Sequence, residues 1–164
     1  MKHLRRVDSP LGPLTLAAEE GALVGLCFGA ARDPAPAADP LLLEAERQLA
    51  AYFQGRLRSF DLPLRLAGSA LQNAVWQAMR RIPWGYTRSY GELAAETGAP
   101  ARAVGAACGG NPVAIVVPCH RVVGAGGRFV GYSGGRGVAT KAWLLRHERA
   151  VPLSDQLSLL APPS

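Results

Sequence analysis

Two capping boxes in the second half of the chain, Ser69 with Gln72 and Ser89 with Glu92, constrain the fold more than any other feature. A serine N-cap with Gln or Glu three residues on satisfies two orphan backbone donors reciprocally, so each box predicts the start of a helix. The first opens "ALQNAVWQAMRR", with Leu71, Val75, Trp76 and Met79 on one face and a stop before Pro83. The second opens "YGELAAET", which Gly98 closes. Pro100 suits the first turn of a further helix, "ARAVGAAC", ending at Gly109 and Gly110. Two short helices across a Gly-Ala-Pro turn make a helix-turn-helix candidate over residues 89–109.

The second of those helices has little side chain. Ala101, Ala103, Gly105, Ala106 and Ala107 leave bulk only at Arg102, Val104 and Cys108. Tight packing in a core accounts for any one of these alanines; a smooth face with a single projecting Arg102 fits close docking onto DNA. Charge favours the second reading. Residues 1–70 hold eight Lys/Arg against eight Asp/Glu, whereas residues 71–164 hold ten against four, so the whole net charge of +6 lies in the second half. Sixteen of the eighteen basic residues are Arg, whose planar fork suits phosphate, although a GC-rich genome inflates Arg as well. A helix that reads base edges in the major groove carries Asn, Gln or several Arg. This one is expected to read shape, with little sequence preference.

The first half reads differently. "HLRRVDS", "GPLTLAAEE" and "ALVGLCFG" are short β-like runs separated by Ser-Pro, Gly-Pro and Glu-Gly breaks, which predicts an antiparallel meander. After Asp39, "PLLLEAERQLAAYFQG" carries Leu42, Ala45, Leu49, Tyr52 and Phe53 at helical spacing and predicts a helix covering the sheet. Residues 59–68, "SFDLPLRLAG", have no helical pattern and precede the charge shift. The expected organisation is an α/β domain over residues 1–58, a linker over 59–68 and a mainly helical domain over 69–164. No apolar run approaches the roughly 20 residues of a membrane span, so no membrane association is expected. Three cysteines without Cys-x-x-Cys spacing argue against a disulfide scaffold or a zinc site and fit a reducing cytoplasm. No metal or other cofactor is expected.

The chemistry centres on "IVVPCHRVVG", where Cys119 and His120 end an apolar run that reads as a buried strand. Isolated buried cysteines are mostly inert, and neighbours in an extended segment point to opposite faces. A turned backbone or one bridging water would still let His120 generate the thiolate, the form that attacks. Glu148, in "ATKAWLLRHE", shares the inward face of Leu144 and Leu145 and is the candidate to orient the imidazole; the alternative is a solvated surface glutamate. The glycine-rich "GAGGRFVGYSGGRG" lacks a P-loop and is expected to wall the thiol, with Tyr132 and Ser133 supplying an aromatic face and polar groups.

Taken in order and spacing, "TRSYGELAAETG", "ARAVGAACGGNP", "NPVAIVVPCHRVVG", "GYSGG" and "AWLLRHE" closely resemble the O6-alkylguanine-DNA alkyltransferases. The resemblance is strong over residues 69–149 and looser over 1–60, where "DSPLGPLTLA" and "AYFQG" carry it. It implies a two-domain α/β fold and a suicide repair reaction in which an alkylated guanine is flipped from duplex DNA and its alkyl group passes irreversibly to Cys119. It makes His120 the water-linked base, Glu148 its orienting carboxylate and Asn111 the hinge between the two recognition elements. Tyr90 becomes the residue that rotates the target phosphate and bonds the flipped base, and Arg102 the finger that fills the vacated stack. Val122, through its backbone, Tyr132 and Ser133 match pocket positions. Ser89, Tyr90, Ala101, Arg102, Ala103 and Gly105 form the expected DNA-binding set, with the recognition helix in the minor groove. The protein is expected to act as a monomer, with clustering on DNA left open. Positions 108 and 109, often larger or basic in relatives, are Cys and Gly here.

Two rival readings use the same residues. A non-enzymatic lesion sensor on this scaffold lacks the acceptor cysteine, which this chain has. A Cys-His-Glu thiol hydrolase needs an oxyanion hole and leaves the helix-turn-helix without a purpose; steady-state ester hydrolysis separates it from a single-turnover acceptor.

Overall fold

The computed structural model describes residues 2–30, 39–128, 132 and 134–152. The chain divides into two compact units, one of Met1–Ala67 with Pro112–Val116, the other of Gly68–Asn111 with Val117–Ser164. Pro112–Val116 thus belongs to the first unit although the second flanks it on both sides in sequence.

In the first unit, β1 (Lys2–Val7), β2 (Leu14–Glu19) and β3 (Ala22–Phe28) form an antiparallel meander in the order β1-β2-β3. Glu19 pairs with Ala22, leaving Glu20 and Gly21 as a two-residue hairpin, and both have positive φ (49° and 78°). A turn with φ > 0 at both central positions follows the right-handed twist of the strands, and Gly21 adopts it without strain. The helix α1 (Pro40–Phe53) is capped by the Asp39 side chain, which accepts from Leu41 N, and buries Leu42, Ala45, Leu49 and Tyr52. Gln48 is buried on the same face, exchanging two 2.9 Å hydrogen bonds with the backbone of Asp61.

The second unit is built from helices around a small parallel sheet. Here α2 (Ala70–Arg80) and α3 (Tyr90–Thr97) both begin in complete capping boxes, and α4 (Ala101–Gly109) follows across Gly98–Ala99–Pro100. Gly98 takes the left-handed conformation (φ 76°) that ends α3. Trp76 is fully buried and donates its indole N–H to the Ala107 carbonyl at 2.9 Å, fastening α2 to α4. The strands β4 (Tyr86–Ser89), β5 (Val122–Val123) and β6 (Val151–Pro152) run parallel in the order β5-β4-β6. The runs are too short to show in the sequence pattern. The last helix, α5 (Val138–His147), carries Glu148 as its C-cap.

The apolar run before Cys119 is not the strand that its composition predicts. Val113 and Ala114 begin with bridging contacts to β3, but Ile115 then takes φ 71°, a left-handed conformation that is strained for a β-branched residue. Val116 N bonds Ala114 O and Cys119 N bonds Val117 O, both at 2.8 Å, so the backbone reverses twice within six residues. Cys119–Arg121 then form a single 3-10 turn. Buried apolar residues favour a strand by composition; here the described residues form only isolated bridges, and successive tight turns bond the amides of Val116 and Cys119 instead.

Candidate active site

The 3-10 turn decides the geometry around the thiol. Successive side chains on such a turn diverge by about 120° rather than pointing oppositely, so Cys119, His120 and Arg121 project in three directions and all are buried. The backbone is thus turned rather than extended at Cys119 and His120, and their side chains do not point to opposite faces.

His120 and Arg121 converge on Glu148, which the C-terminus of α5 holds with no exposed surface. His120 Nε2 lies 2.8 Å from Glu148 Oε2; Arg121 donates through Nε to Oε1 at 2.8 Å and through Nη2 to Oε2 at 3.1 Å. Arg121 Nη1 also donates to the Ile82 carbonyl at 2.6 Å. Burial alone would raise the Glu148 pKa, but His120 and Arg121 outweigh it and hold the carboxyl far below its usual range. Burial also drives the His120 pKa down, against the pull of Glu148, with Arg121 and Lys141 adding repulsion. The ring is therefore neutral at pH 7. Its Nε2–H donates to Glu148, which leaves the lone pair on Nδ1, an atom buried and without a hydrogen-bond partner among the described residues. A ring held this way is a base aimed inward.

Asn111 supplies the donor for sulfur. Its Nδ2 donates to the Val117 carbonyl at 2.8 Å and to Cys119 Sγ at 3.1 Å. Burial pushes the Cys119 thiol up, while the Asn111 bond and the nearby Lys141 charge pull it down. The net is upward, so the resting site holds a thiol and a neutral imidazole rather than an ion pair.

Two residues that the sequence reading passed over complete the cluster. Arg121 is one. Lys141 is the other, with no exposed surface, its Nζ donating to the Val122 carbonyl at 2.5 Å and standing 5.7 Å from the centre of the Tyr90 ring. Burial lowers the Lys141 pKa, and the two cysteines Cys108 and Cys119 oppose that fall. A signal for it exists in the sequence. A chain with sixteen Arg and two Lys places one of those Lys seven residues before Glu148, in step with Leu144, Leu145 and Glu148 on one stripe of α5.

Tyr90 opens α3 beside this group. Burial, then the charges of Cys108 and Cys119, push its hydroxyl up to about 12, so it stays protonated and can donate. Tyr132 has a buried hydroxyl pushed well above the usual tyrosine range by burial and by Cys119. Val122 is buried and its carbonyl is already engaged by Lys141. Ser133 lies outside the described residues.

The remaining expected residues belong to the end of β4 and to α4. Ser89 Oγ accepts from Glu92 N at 3.0 Å, so its side chain caps α3. Ala101 and Arg102 are exposed on the first turn of α4, Ala103 and Gly105 are half-buried, and Ala106 and Gly109 are exposed further along. A Cβ added at Gly105 or Gly109 would meet nothing within 4 Å. Internal packing therefore does not require either glycine, although glycine inside a helix costs about 0.5–1 kcal/mol relative to alanine. A smooth outer face is what these residues leave.

Comparison with known proteins covers both units. The family model described as "6-O-methylguanine DNA methyltransferase, DNA binding domain" matches residues 70–150, and that described as "6-O-methylguanine DNA methyltransferase, ribonuclease-like domain" matches residues 3–66. The methylated-DNA–protein-cysteine methyltransferase of Mycobacterium bovis is 48% identical over 165 residues, covering 94% of this chain and 97% of that protein. Its namesake from Methanosarcina acetivorans is 44% identical, covering 86% and 94%. Among solved structures, Mycobacterium tuberculosis O6-methylguanine methyltransferase superposes with a TM-score of 0.75 at 44% identity, covering 98% of this chain and 100% of that one. The crystal structure of Mycobacterium tuberculosis OGT in complex with DNA gives 0.78 at 46% identity, covering 97% and 99%.

Proposed function

Because the chain belongs to the 6-O-methylguanine DNA methyltransferase family, we propose that it repairs DNA by flipping O6-alkylguanine out of the duplex and transferring the alkyl group irreversibly to its own Cys119. It is a methylated-DNA–protein-cysteine methyltransferase. The observation that carries the mechanism is the buried chain Arg121–Glu148–His120, which leaves Nδ1 as the lone-pair nitrogen of the ring, buried and without a hydrogen-bond partner among the described residues, on the residue that follows the acceptor cysteine in the chain.

The proton of Cys119 passes through a bridging water to His120 Nδ1, and Glu148 stabilises the imidazolium that forms. The Asn111 N–H and the Lys141 ammonium stabilise the thiolate for the same interval. The thiolate attacks the alkyl carbon, the carbon–oxygen bond breaks, and the electron pair stays on guanine, which takes back a proton as the imidazolium returns it. Tyr90, protonated, donates a hydrogen bond to the ring and spreads the developing charge. The product is a thioether with no carbonyl for water to attack, so each molecule reacts once.

An alkyl group on a stacked guanine is out of reach of a buried thiol, and extrusion costs a few kcal/mol of unstacking. We assign Arg102 to fill the vacated stack and the smooth face of α4, with Ala101, Ala103 and Gly105, to lie in the minor groove with little sequence preference; Ser89 and Tyr90 approach the target phosphate. The chemistry belongs to residues 69–164, with residues 1–58 as a separate domain joined through 59–68. Tyr132 and Ser133 are assigned to the guanine pocket. We assign it to the cytoplasm, a reading to which its free cysteines lend support, and assign it as a monomer; no helix among the described residues is long and apolar enough to cross a membrane.

The test is a mass spectrum after incubation with duplex DNA bearing O6-methylguanine. One methyl per protein molecule, on the Cys119 peptide and absent from Cys119→Ala, is the expected result. Methyl on another residue, or continuous turnover of an ester substrate, overturns the assignment.

A further inference from the structure

Cys108 is a buried nucleophile that the transfer reaction does not use. It sits on the last turn of α4, its thiol in side-chain hydrogen-bond contact with the Tyr90 hydroxyl. Its carbonyl accepts from Asn111 N at 3.3 Å, and the side chain of the same Asn111 donates to Cys119 Sγ at 3.1 Å. One residue therefore ties the backbone of Cys108 to the sulfur of Cys119. Both thiols feel the Lys141 charge, and burial, then negative charge on Cys119, push the Cys108 thiol up to about 12. A cysteine acting only as a small hydrophobe needs none of these polar neighbours. Cys27, the remaining cysteine, is exposed and belongs to the other unit.

We propose that Cys108 is a resolving thiol for Cys119, so that a hydroperoxide converts the acceptor to an intramolecular disulfide that switches transfer off reversibly. In the first step the Cys119 thiolate attacks the distal peroxide oxygen. The O–O bond breaks, the alcohol or water leaves with a proton, and Cys119 becomes a sulfenic acid. In the second step Cys108 sulfur attacks Cys119 sulfur and the hydroxyl leaves as water with the Cys108 proton. Two thiols are oxidised by two electrons and one peroxide is reduced. Closure requires Cys108 to leave Tyr90 and turn toward Cys119, until the sulfurs reach the roughly 2.05 Å of a disulfide. Without Cys108 the sulfenic acid has no partner and proceeds to sulfinic acid, which a dithiol does not reverse.

The inference rests on Cys119 being the reactive thiol, so methyl transfer by the untreated protein is measured first and separates failure of that reading from failure of this one. Full-length protein carrying Cys27→Ser is treated with hydrogen peroxide, quenched with N-ethylmaleimide and digested without reductant. The expected result is a cross-linked peptide pair containing Cys108 and Cys119, lighter by two hydrogens. Transfer is lost and then returns on adding dithiothreitol. Methylating Cys119 beforehand abolishes the cross-link. In Cys108→Ser and Cys108→Ala, each scored against its own untreated rate, the loss is not restored and Cys119 is recovered as sulfinic or sulfonic acid. A protein with intact Cys108 that shows no cross-link, and loses transfer as irreversibly as the two variants, overturns the proposal.

Discussion

At the scale of single residues, Glu148 carries two loads that separate under mutation. It stabilises the imidazolium that forms on His120 during transfer, and it neutralises the buried Arg121 guanidinium. Glu148→Gln keeps a hydrogen bond and loses the charge, so the imidazolium intermediate is less favoured and transfer should slow about 10-fold to 1000-fold, the scale of general-base effects. It also leaves Arg121 buried without its counter-ion, a loss of about 3–5 kcal/mol in comparable sites. A single-turnover rate and a urea midpoint measured on the same preparation check both. A slow variant of normal stability would mean that Arg121 is compensated elsewhere; a stable variant with normal rate would remove Glu148 from the mechanism. Lys141→Met tests the other side of the site. Methionine fills similar volume without charge, and since Lys141 pulls the Cys119 pKa down, the pH at which Cys119 reacts with a thiol reagent should move upward. An unchanged titration would show that Lys141 serves only to bind the Val122 carbonyl.

At the scale of elements, α4 trades its own stability for its outer surface. Gly105→Ala should stabilise the fold by up to about 1 kcal/mol, because alanine is the better helix former and nothing within 4 Å obstructs its methyl. The same methyl stands on the face assigned to DNA, so repair of duplex substrate should fall while reaction with free O6-methylguanine base is unchanged. Arg102→Ala should show the same split more strongly, since a stack-filling side chain matters only when a base has left a stack. The paired assays on duplex and free base decide: equal losses on both substrates would move these residues from the DNA face to the chemistry. Helix boundaries were legible because capping is local. Ser69 with Gln72 and Ser89 with Glu92 announce α2 and α3, and Gly98 marks the stop. The strands β5 and β6 were not legible, since two residues each carry no periodicity and pair only because β4 lies between them.

At the scale of the whole molecule, charge and proton linkage set the conditions under which the protein works. With the whole net charge of +6 in residues 71–164, duplex affinity should fall linearly in log–log terms with salt as phosphate counterions are released. A flat response would place the DNA face elsewhere. Stability should fall on acidification. The native His120 pKa lies below its ordinary 6.5, so beneath that value the unfolded chain takes up a proton that the native state refuses. The native Glu148 pKa lies below its ordinary 4.5, so a second loss follows as pH drops through that value. In both cases the unfolded state binds more protons, which makes stability rise with pH. Urea midpoints between about pH 7.5 and 5.5 should decline in the natural protein and flatten in His120→Gln. Equal slopes would show that the buried ring contributes nothing to the linkage.

The residue types of the chemistry, the helix starts and the uneven charge are properties of local sequence, and each was legible there because capping, periodicity and composition act over a few residues. Cys119, His120 and Glu148 could be named as candidates; their geometry could not. Whether Cys119 and His120 share a site depends on a backbone that reverses at Ile115 and winds into a 3-10 turn, against the strand preference of "AIVV". Arg121 and Lys141 became part of the site only through burial, since either would be an ordinary surface cation on an exposed segment. Proximity across 28 residues of chain, from His120 to Glu148, and the loss of water around both, are what turned a glutamate at a helix end into a charged partner. Those two quantities, distance and desolvation, belong to the tertiary structure alone.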